Sequence, residues 1–414
     1  MAELLTNTTD LTKVAAAIRE KGGTSDPLVY PDGFVTAIGN IQTGGGGAAG
    51  APGDITFYDY DGTIITSWTL AELATKTALP DYPSHDGLVC QGWNWSLADL
   101  KATNRKMNVG AIYITDDGKT RIYIRLEEGR TSPMLGVCPN GTVTVDWGDG
   151  TTPDTLTGTS TTTVKWTPNH AYAAPGEYVI KLTVDGTMGF YGTLEASNNA
   201  LGFLSFSATS DPRNYTYLNS IKKVEIGTNL PTIHQYSFCS FTALESVTIP
   251  NSVTNIHYGA FTNCYSLKSI VIPSSVDYMI DNEFWHCQSL VSVIIPSTVT
   301  SIYEQVFYRC YALSFFTIPD GVTEILDNAF NGCRALTSLT IPGGVTSIST
   351  GAFRYAYGMG IYDFTAATSV PTLDSTNAFG NISADCQIRV PASLVDAWKA
   401  ATNWSTYADH IVGV

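Results

Sequence analysis

The sequence predicts a mainly β, multidomain protein whose C-terminal half is a solenoid of short repeats. Three observations lead to this expectation: a 23-residue spacing in the second half, period-2 alternation of apolar residues in the middle, and the composition. Of the 414 residues, 44% are hydrophobic and 14% are charged, as in folded β-rich extracellular or particle-surface proteins. The net charge of −15 argues against a nucleic-acid partner, because the cations that displace phosphate counterions are scarce.

Residues 1–43 are expected to form a short helical anchor. Asp10 has the position of an N-cap, and apolar residues follow it at helical spacing in two segments. Helices this short are not stable alone, so their apolar faces need a partner. We therefore expect residues 1–43 to anchor the chain to a particle and to form a homo-oligomer, such as a trimer, in which copies of the segment pack on one another through these apolar faces. The proposed anchoring residues are Leu11, Val14, Ile18, Phe34, Ile38 and Ile41.

Three further segments precede the repeats. Residues 44–53 are Gly-rich, which is typical of a flexible linker. Residues 54–119 combine strand patterns with one helix-like stretch, TLAELATKTA, and predict a small β-rich module. Residues 120–195 alternate apolar and polar residues in RIYIRLEE, TVTVDWGDGTT, TTTVKW and EYVIKLTV, which predicts a β-sandwich.

Residues 196–385 are expected to form a repeat array, in which a period of 23 residues is kept up to Phe353. The period is kept by prolines from Pro250 to Pro342, phenylalanines from Phe238 to Phe353, leucines from Leu244 to Leu336 and cysteines from Cys264 to Cys333. With the pattern L-x-x-V/I/L-x-I, this period predicts a leucine-rich solenoid in which each coil adds one short strand to a parallel sheet.

Within one repeat, the inward positions can be assigned from the alternation. Leu290, Val293 and Ile295 are expected to point into the core, and Val299 and Ile302 to close the turn. We interpret the cysteines as small buried residues rather than disulfides or metal ligands. Phe241 occupies their column one repeat earlier, where neither role is possible.

Residues 386–414 break the period and predict a C-terminal cap. The sequence there gives a strand, a helix that begins at Pro391 with Leu394, Trp398 and Ala401 on one face, and a closing segment with Trp404, Tyr407 and Ile411. A solenoid needs such a lid because its last coil otherwise exposes the core.

Three parts of the chain resemble known families. The repeat xxVTxIxxxAFxxCxxLxSxxIPxS resembles the BspA-type leucine-rich repeat of bacterial surface adhesins and of proteins from phages of gut bacteria. The run Val145-Asp146-Trp147-Gly148-Asp149-Gly150 with His170-Ala171-Tyr172 is similar to a polycystic-kidney-disease (PKD) domain, an immunoglobulin-like spacer or adhesive module. The opening AAAIREKGGTSDPLVYPDGFVTAIGNI and the segment from Asp86 to Ile124 resemble modules at the front of phage structural proteins, which implies attachment to a particle.

Two motifs invite a chemical interpretation that we do not adopt. Asp59-Tyr60-Asp61-Gly62-Thr63 matches the D-x-D-G-T loop of haloacid-dehalogenase phosphatases, but residues 54–119 are too few for the parallel α/β sheet that this chemistry needs. Asp146, Asp149 and Asp154 could bind calcium, although a tight turn between two strands explains them better. We expect no enzyme activity, no catalytic residue, no cofactor and no metal.

Outward positions of the solenoid supply candidate binding residues. Aromatic and arginine side chains recur around the Phe/Cys turn, and these are the residue types of protein and sugar recognition. The ligand-binding candidates are Trp285, His286, Tyr303, Tyr308, Arg309, Tyr311 and Arg334, with Tyr258, Tyr265, Arg354 and Tyr355 beside them. The alternative for any one of them is packing between coils.

The sequence therefore predicts a bacteriophage structural protein displayed on the virion, as a capsid or tail fibre or decoration. Residues 1–43 would contact other virion proteins, and the repeats would bind a host cell-surface protein or glycan. We expect synthesis in the host cytoplasm and no membrane insertion, because no signal peptide or long apolar run is present. The alternative is a bacterial cell-surface leucine-rich-repeat adhesin, and a third hypothesis is particle decoration without a ligand.

Overall fold

A computed structural model gives the fold of most of the chain. It describes residues 54–58, 64–85, 88–93, 96–103, 107–115, 117–129, 131–190, 193–195, 199–201, 204–205, 219–276, 278–296, 298–314 and 316–414. One compact unit ends at Asp117, and a second runs from Gly118 to Val414. The predicted helical anchor, with Leu11 to Ile41, and the Gly-rich linker lie outside the described residues, so both stay predictions.

The described part of the first unit contains a four-stranded sheet and two short helices. Its elements are β1 (Ile55–Tyr58), β2 (Ile64–Trp68), α1 (Leu70–Thr75), β3 (Leu88–Trp93), α2 (Leu97–Thr103) and β4 (Met107–Thr115). The strand order is β2-β1-β4-β3, with β1 and β4 parallel and the other pairs antiparallel. Helix α1 begins at a capping box, in which Thr69 and Glu72 exchange hydrogen bonds.

The core of this first unit is small and aromatic. The Phe57 ring lies edge-on to Trp68 at 4.6 Å and to Trp93 at 5.0 Å between ring centroids. Leu73 from α1 and Leu100 from α2 are buried in the same cluster. Asp59 and the rest of the D-x-D-G-T motif lie outside the described residues, so the absence of phosphatase chemistry stays a prediction.

The second unit opens with antiparallel strands, of which the second and the fifth are long. They are β5 (Thr120–Leu126), β6 (Met134–Asp146), β7 (Asp154–Thr159), β8 (Lys165–Trp166), β9 (Gly176–Phe190), β10 (Thr193–Glu195), β11 (Asn199–Leu201) and β12 (Leu204–Ser205). Strands β6, β9 and β5 are neighbours in one sheet, and β7 and β8 pair with β6. The alternating segments of the sequence thus form strands, while the PKD-like assignment of this region stays a prediction.

The solenoid strands are very short. They are β13 (Ile221–Glu225), β14 (Thr232–Ile233), β15 (Ser246–Thr248), β16 (Asn255–Ile256), β17 (Ser269–Val271), β18 (Ser292–Ile294), β19 (Ser301–Ile302), β20 (Glu324–Ile325), β21 (Ser338–Thr340), β22 (Ser347–Ile348), β23 (Ile361–Asp363), β24 (Thr372–Leu373), β25 (Gln387–Val390) and β26 (Ile411–Gly413). The pairs between successive coils are parallel.

Coils contribute strands to two parallel ladders, which corrects the expectation of one strand per coil. Three-residue strands such as β18 form the first ladder, and two-residue strands such as β19 form the second. Ile302, expected only to close the turn, lies in the second ladder and is buried. A two-residue strand is too short to give an alternation signal in the sequence.

The preceding strands close the N-terminal end of the solenoid. Strand β5 pairs antiparallel with β13, so that Ile122 faces Val224, and β13 pairs parallel with β15. The end of β9 pairs with β14, the first strand of the second ladder, through Phe190 and Ile233. One hydrophobic core then runs from Ile122 to Ile411, so the solenoid and these strands share a single packed interior.

Repeated inward columns fill the solenoid as the period predicted. Leu290, Val293 and Ile295 are buried. The rings from Phe238 to Phe353 stack with centroids 5.0 to 5.8 Å apart. The four column thiols are free and buried, each donating to the carbonyl of the preceding coil's phenylalanine, as Cys310 does to Phe284 at 3.2 Å. Burial raises the pKa of the Cys310 thiol far above its ordinary value, so it stays protonated.

The C-terminal end is closed by a strand, a helix and a further strand. After β25, a 3-10 turn at Ala392–Leu394 leads into α3 (Val395–Ala400), and a second 3-10 segment, Trp404–His410, leads into β26. Trp398 and Trp404 are fully buried, and the Trp404 indole N–H donates to the Pro371 carbonyl at 2.8 Å. Among the described residues, no helix has the length and apolar character needed to cross a bilayer.

Candidate functional site

The solenoid coils share one turn in which inward and outward residues interleave. After Phe284, Phe307 and Phe353, the next two residues are partly or fully exposed, the column cysteine or its equivalent is buried, and the residue after it is again partly or fully exposed; after Phe330 only Arg334 is exposed. Over the coils that begin at Phe284, Phe307, Phe330 and Phe353, these outward positions collect most of the predicted binding residues. We call this set the aromatic–arginine stripe: Trp285, His286, Tyr308, Arg309, Tyr311, Arg334, Arg354, Tyr355 and Tyr357.

The backbone holds one stripe position per coil in the left-handed region. His286, Arg309 and Tyr355 have φ of 62°, 58° and 61°. At the same place the neighbouring coils carry Asn263 and Gly332, residues that tolerate this conformation. The backbone N–H of each left-handed residue donates to the next coil, as Arg309 does to Asn331 at 2.7 Å. A bulky residue there costs about 1 kcal/mol or more, and such strain is concentrated at functional sites.

The first part of the stripe is a stack of parallel rings. The Trp285 and His286 rings lie 3.6 Å apart with an interplanar angle of 1°, and Tyr308 stacks on both at 6.0 and 5.8 Å. The Arg309 guanidinium lies 5.2 Å from the Tyr308 ring centroid, and its Nη1 is 3.3 Å from His286 Nε2. Burial and the charge of Arg309 lower the pKa of His286 to about 4, so the neutral ring accepts this hydrogen bond at pH 7.

The second part of the stripe places arginine over tyrosine. Arg334 lies 4.5 Å from the Tyr311 ring centroid and 5.7 Å from that of Tyr357. Arg354 lies 4.6 Å from the Tyr355 ring. Arg309 and Arg334 are exposed, whereas the rings of Tyr308 and Tyr311 beneath them are half-buried. These cation–π contacts fix the guanidinium groups on a rigid base.

Not every predicted binding residue belongs to this arrangement. Tyr303 follows β19, packs against the solenoid core and takes part in none of the ring contacts found in the described part of the chain. Tyr258 and Tyr265 are exposed on earlier coils. Tyr357, 52% exposed, was missed in the sequence although the 23-residue step from Tyr311 through Arg334 leads to it.

A buried acid lies directly before the stripe. Glu283 is 1% exposed, and neither of its carboxyl oxygens makes a hydrogen bond of ordinary geometry. The equivalent position in other coils is held by Ala260, Val306, Ala329 and Ala352. Burial raises the pKa of Glu283 to about 8, against a smaller opposing effect of the Ile280 backbone. This residue was missed in the sequence, although a single carboxyl group in a column of small apolar residues is a visible signal.

The PKD-like motif forms a connected cluster at the β6–β7 turn. His170 stacks on Trp147 at 4.4 Å and its Nε2 lies 2.8 Å from an Asp149 carboxylate oxygen. The Trp147 N–H donates to Asp154, and the Tyr172 hydroxyl donates to the Trp147 carbonyl, both at 2.8 Å. Asp146 accepts from the Gly148 N–H. The predicted tight turn is present, and its three carboxylates serve hydrogen bonds within the cluster.

Acidification should loosen this turn through Asp149. Although burial opposes ionisation, hydrogen bonds from Thr151 and His170 lower the pKa of Asp149 from 3.8 to about 2. The stabilisation is therefore complete above pH 4 and is lost as the pH falls towards 2. We expect Asp149→Asn to be less stable than the wild type at pH 7 and to lose less stability between pH 4 and pH 2, measured by urea unfolding. Asp185→Asn, at an exposed carboxylate on β9, should leave the wild-type pH dependence unchanged; the same change in both variants would contradict this role.

The described residues contain no group of three or more His, Cys, Asp or Glu side chains arranged to hold a metal ion. The arrangement that remains is a surface: parallel rings and seated guanidinium groups across successive coils. It can bind a partner through hydrogen bonds, charge and aromatic contact.

The fold defines a leucine-rich-repeat solenoid, and a family comparison agrees. The model of the BspA-type leucine-rich repeat region matches residues 211–336 and 300–397 in six copies. The predicted BspA-type repeats are therefore confirmed for this part of the chain. No curated protein matches the sequence.

Solved structures similar to this chain are leucine-rich-repeat proteins. A protein from Eubacterium ventriosum is 22% identical with a TM-score of 0.36, and the match covers 39% of this chain and 43% of that one. The T. pallidum leucine-rich-repeat protein is 21% identical with a TM-score of 0.36, covering 45% of this chain and 83% of the other. The pneumococcal vaccine antigen PcpA is 15% identical with a TM-score of 0.30, and the match covers 47% of this chain and 68% of that one.

Proposed function

We propose that this chain is a bacterial cell-surface leucine-rich-repeat protein that binds a partner protein through the aromatic–arginine stripe. The observation that carries the proposal is the stripe itself, in which Trp285, Tyr308 and Arg309 are stacked before any partner arrives. Trp, Tyr and Arg dominate the binding energy of protein interfaces. Side chains that are already ordered lose little conformational entropy on binding.

The family match supports the bacterial-surface assignment. Residues 211–397 match BspA-type repeats, and the resemblance of these repeats to bacterial surface adhesins was the alternative reading of the sequence. The virion assignment depends on residues 1–43, which lie outside the described residues, and no comparison supports it. Antibody labelling of intact producing bacteria should detect the chain on the envelope. Its presence in purified phage particles, with no envelope labelling, would overturn this assignment.

A protein partner fits the stripe better than a neutral glycan. Sugars bind aromatic residues through exposed ring faces, but His286 covers one face of Trp285, with the ring centroids 3.6 Å apart. Arg334 and Arg354 likewise lie over the rings of Tyr311 and Tyr355. Ring edges, hydroxyl groups and guanidinium N–H groups are left for contact, and these suit the polar groups and side chains of a protein.

Replacing Trp285, Tyr308 and Tyr311 together by alanine should abolish binding to the cells that the wild-type protein binds. Truncation of a hot-spot residue costs about 2 kcal/mol or more, so three such losses, about 6 kcal/mol together, lower the affinity roughly ten-thousandfold. The measurement is flow cytometry with labelled purified protein, before and after protease treatment of the cells. Protease treatment should remove wild-type binding, whereas removal only by glycosidases would show that the ligand is a glycan.

The matched control replaces two exposed aromatic residues outside the solenoid, Tyr82 and Trp166. This variant should bind as the wild type does. Both variants should keep a melting temperature close to that of the wild-type protein, because the replaced rings lie outside the inward columns. Full binding by the triple-alanine variant would exclude the stripe as the binding surface.

A further inference from the structure

From residue 269 to residue 388, the cationic side chains of the solenoid are confined to the stripe. Between residues 269 and 388 the sequence contains Arg309, Arg334 and Arg354 and no other Lys or Arg. The same stretch contains ten Asp and Glu residues, none of them in the stripe. In a chain of net charge −15, this segregation makes the stripe a local positive surface on an acidic solenoid.

Each of these three guanidinium groups lies on a ring, and none forms an ion pair with a carboxylate among the described residues. The rings are Tyr308, Tyr311 and Tyr355, at 5.2, 4.5 and 4.6 Å. Within the described part of the chain, the ion pairs involve other residues, such as Lys268 with Glu245 and Lys223 with Glu225. Arg354 Nε is buried and makes no hydrogen bond. A guanidinium that lies flat on a ring directs its N–H groups sideways, where they match a carboxylate.

Resting on the proposed function, we infer that the partner presents an acidic segment whose Asp or Glu side chains bind Arg309, Arg334 and Arg354. The three arginines lie on three successive coils, which are spaced by ~4.8 Å, the distance between paired strands. A nucleic acid would need free ring faces for its bases, and the arginines cover these faces.

Poly-L-glutamate is the probe that tests this inference, with binding measured by biolayer interferometry at 150 mM NaCl. We expect the wild-type chain to bind, and R309Q/R334Q/R354Q to lose at least tenfold in affinity. The control R125Q/K165Q/K399Q makes the same change in net charge at exposed cations outside the stripe, and it should lose less than twofold. Raising the salt concentration should weaken wild-type binding and leave the residual binding of the stripe variant nearly unchanged.

Several outcomes would overturn the inference. They are a wild-type chain that ignores poly-L-glutamate, equal losses in the stripe and control variants, and binding of heparin without binding of poly-L-glutamate. The cell assay separates this inference from the proposed function. If the arginine-to-glutamine variant still binds cells while the aromatic variant does not, the stripe stands and the acidic partner is wrong. If both bind fully, both proposals fail.

Discussion

Replacing Glu283 by glutamine should remove a stability loss of roughly 3 kcal/mol that the wild-type protein undergoes between pH 5 and pH 8. The pKa of Glu283 is raised from 4.5 to about 8 by burial. The folded state therefore binds the proton more tightly than the unfolded state does. Stability from this group is complete below pH 4.5 and falls as the pH rises, until the folded carboxyl ionises near pH 8. Urea unfolding across this range measures the effect.

Glu283→Ala provides a second test, because alanine does not bury a side-chain amide without hydrogen-bond partners as glutamine would. Alanine is the residue found at this place in three other coils, at positions 260, 329 and 352, so the variant should fold. Its free energy of unfolding should exceed that of the wild type at pH 8. Like that of Glu283→Gln, it should not change between pH 5 and pH 8 through this position. Glu324→Gln, at an exposed carboxylate of another coil, serves as the control and should follow the wild type. A wild-type curve that is flat from pH 5 to pH 8 would exclude the raised pKa.

The inward columns could be predicted from sequence because they repeat. The period places Leu290 and Val293 in the core, and the structure buries both. The column of Glu283 repeats equally well, but its members are mostly alanine, which contributes little to a hydrophobic pattern. A single carboxyl group in such a column is visible only when all 23 positions are compared between coils.

The backbone of the stripe could not be predicted from its residues. Glycine or asparagine at a turn indicates a left-handed conformation, and Asn263 and Gly332 give that signal. His286 and Arg309 do not, and their conformation is imposed by hydrogen bonds to the next coil. The composition of the stripe was therefore predictable, whereas its ring stacking and strained positions depend on coil-to-coil geometry.

The pairing of β5 with β13 could not be predicted from the sequence either. Ile122 and Val224 pair across about a hundred residues of chain, and no local pattern records such a contact. The predicted boundary between residues 195 and 196 separates two sequence patterns, but one core continues across it. The strands before the repeats thus act as the N-terminal cap that every solenoid needs.

At the other end of the solenoid, Trp404→Ala should destabilise the protein by about 3–5 kcal/mol, the usual cost of removing a fully buried aromatic side chain. Trp404 is 0% exposed and contacts Phe364, Phe379 and Trp398. Trp404→Phe keeps most of the packing and loses the hydrogen bond to Pro371, so it should cost less. Trp166→Ala removes a tryptophan that is 43% exposed and should change the urea midpoint little.

The site of unfolding distinguishes a cap from an ordinary core residue. In a repeat array, each coil is stabilised by its neighbours, so loss of a terminal coil exposes the next one. Because β5 and β9 close the N-terminal end, the Trp404→Ala variant should open from its C-terminal end. Hydrogen exchange should then show protection lost first in β25 and β26, next in β23, and last in β13. Uniform loss of protection along the solenoid would mean that the coils unfold as one unit and that Trp404 has no special capping role.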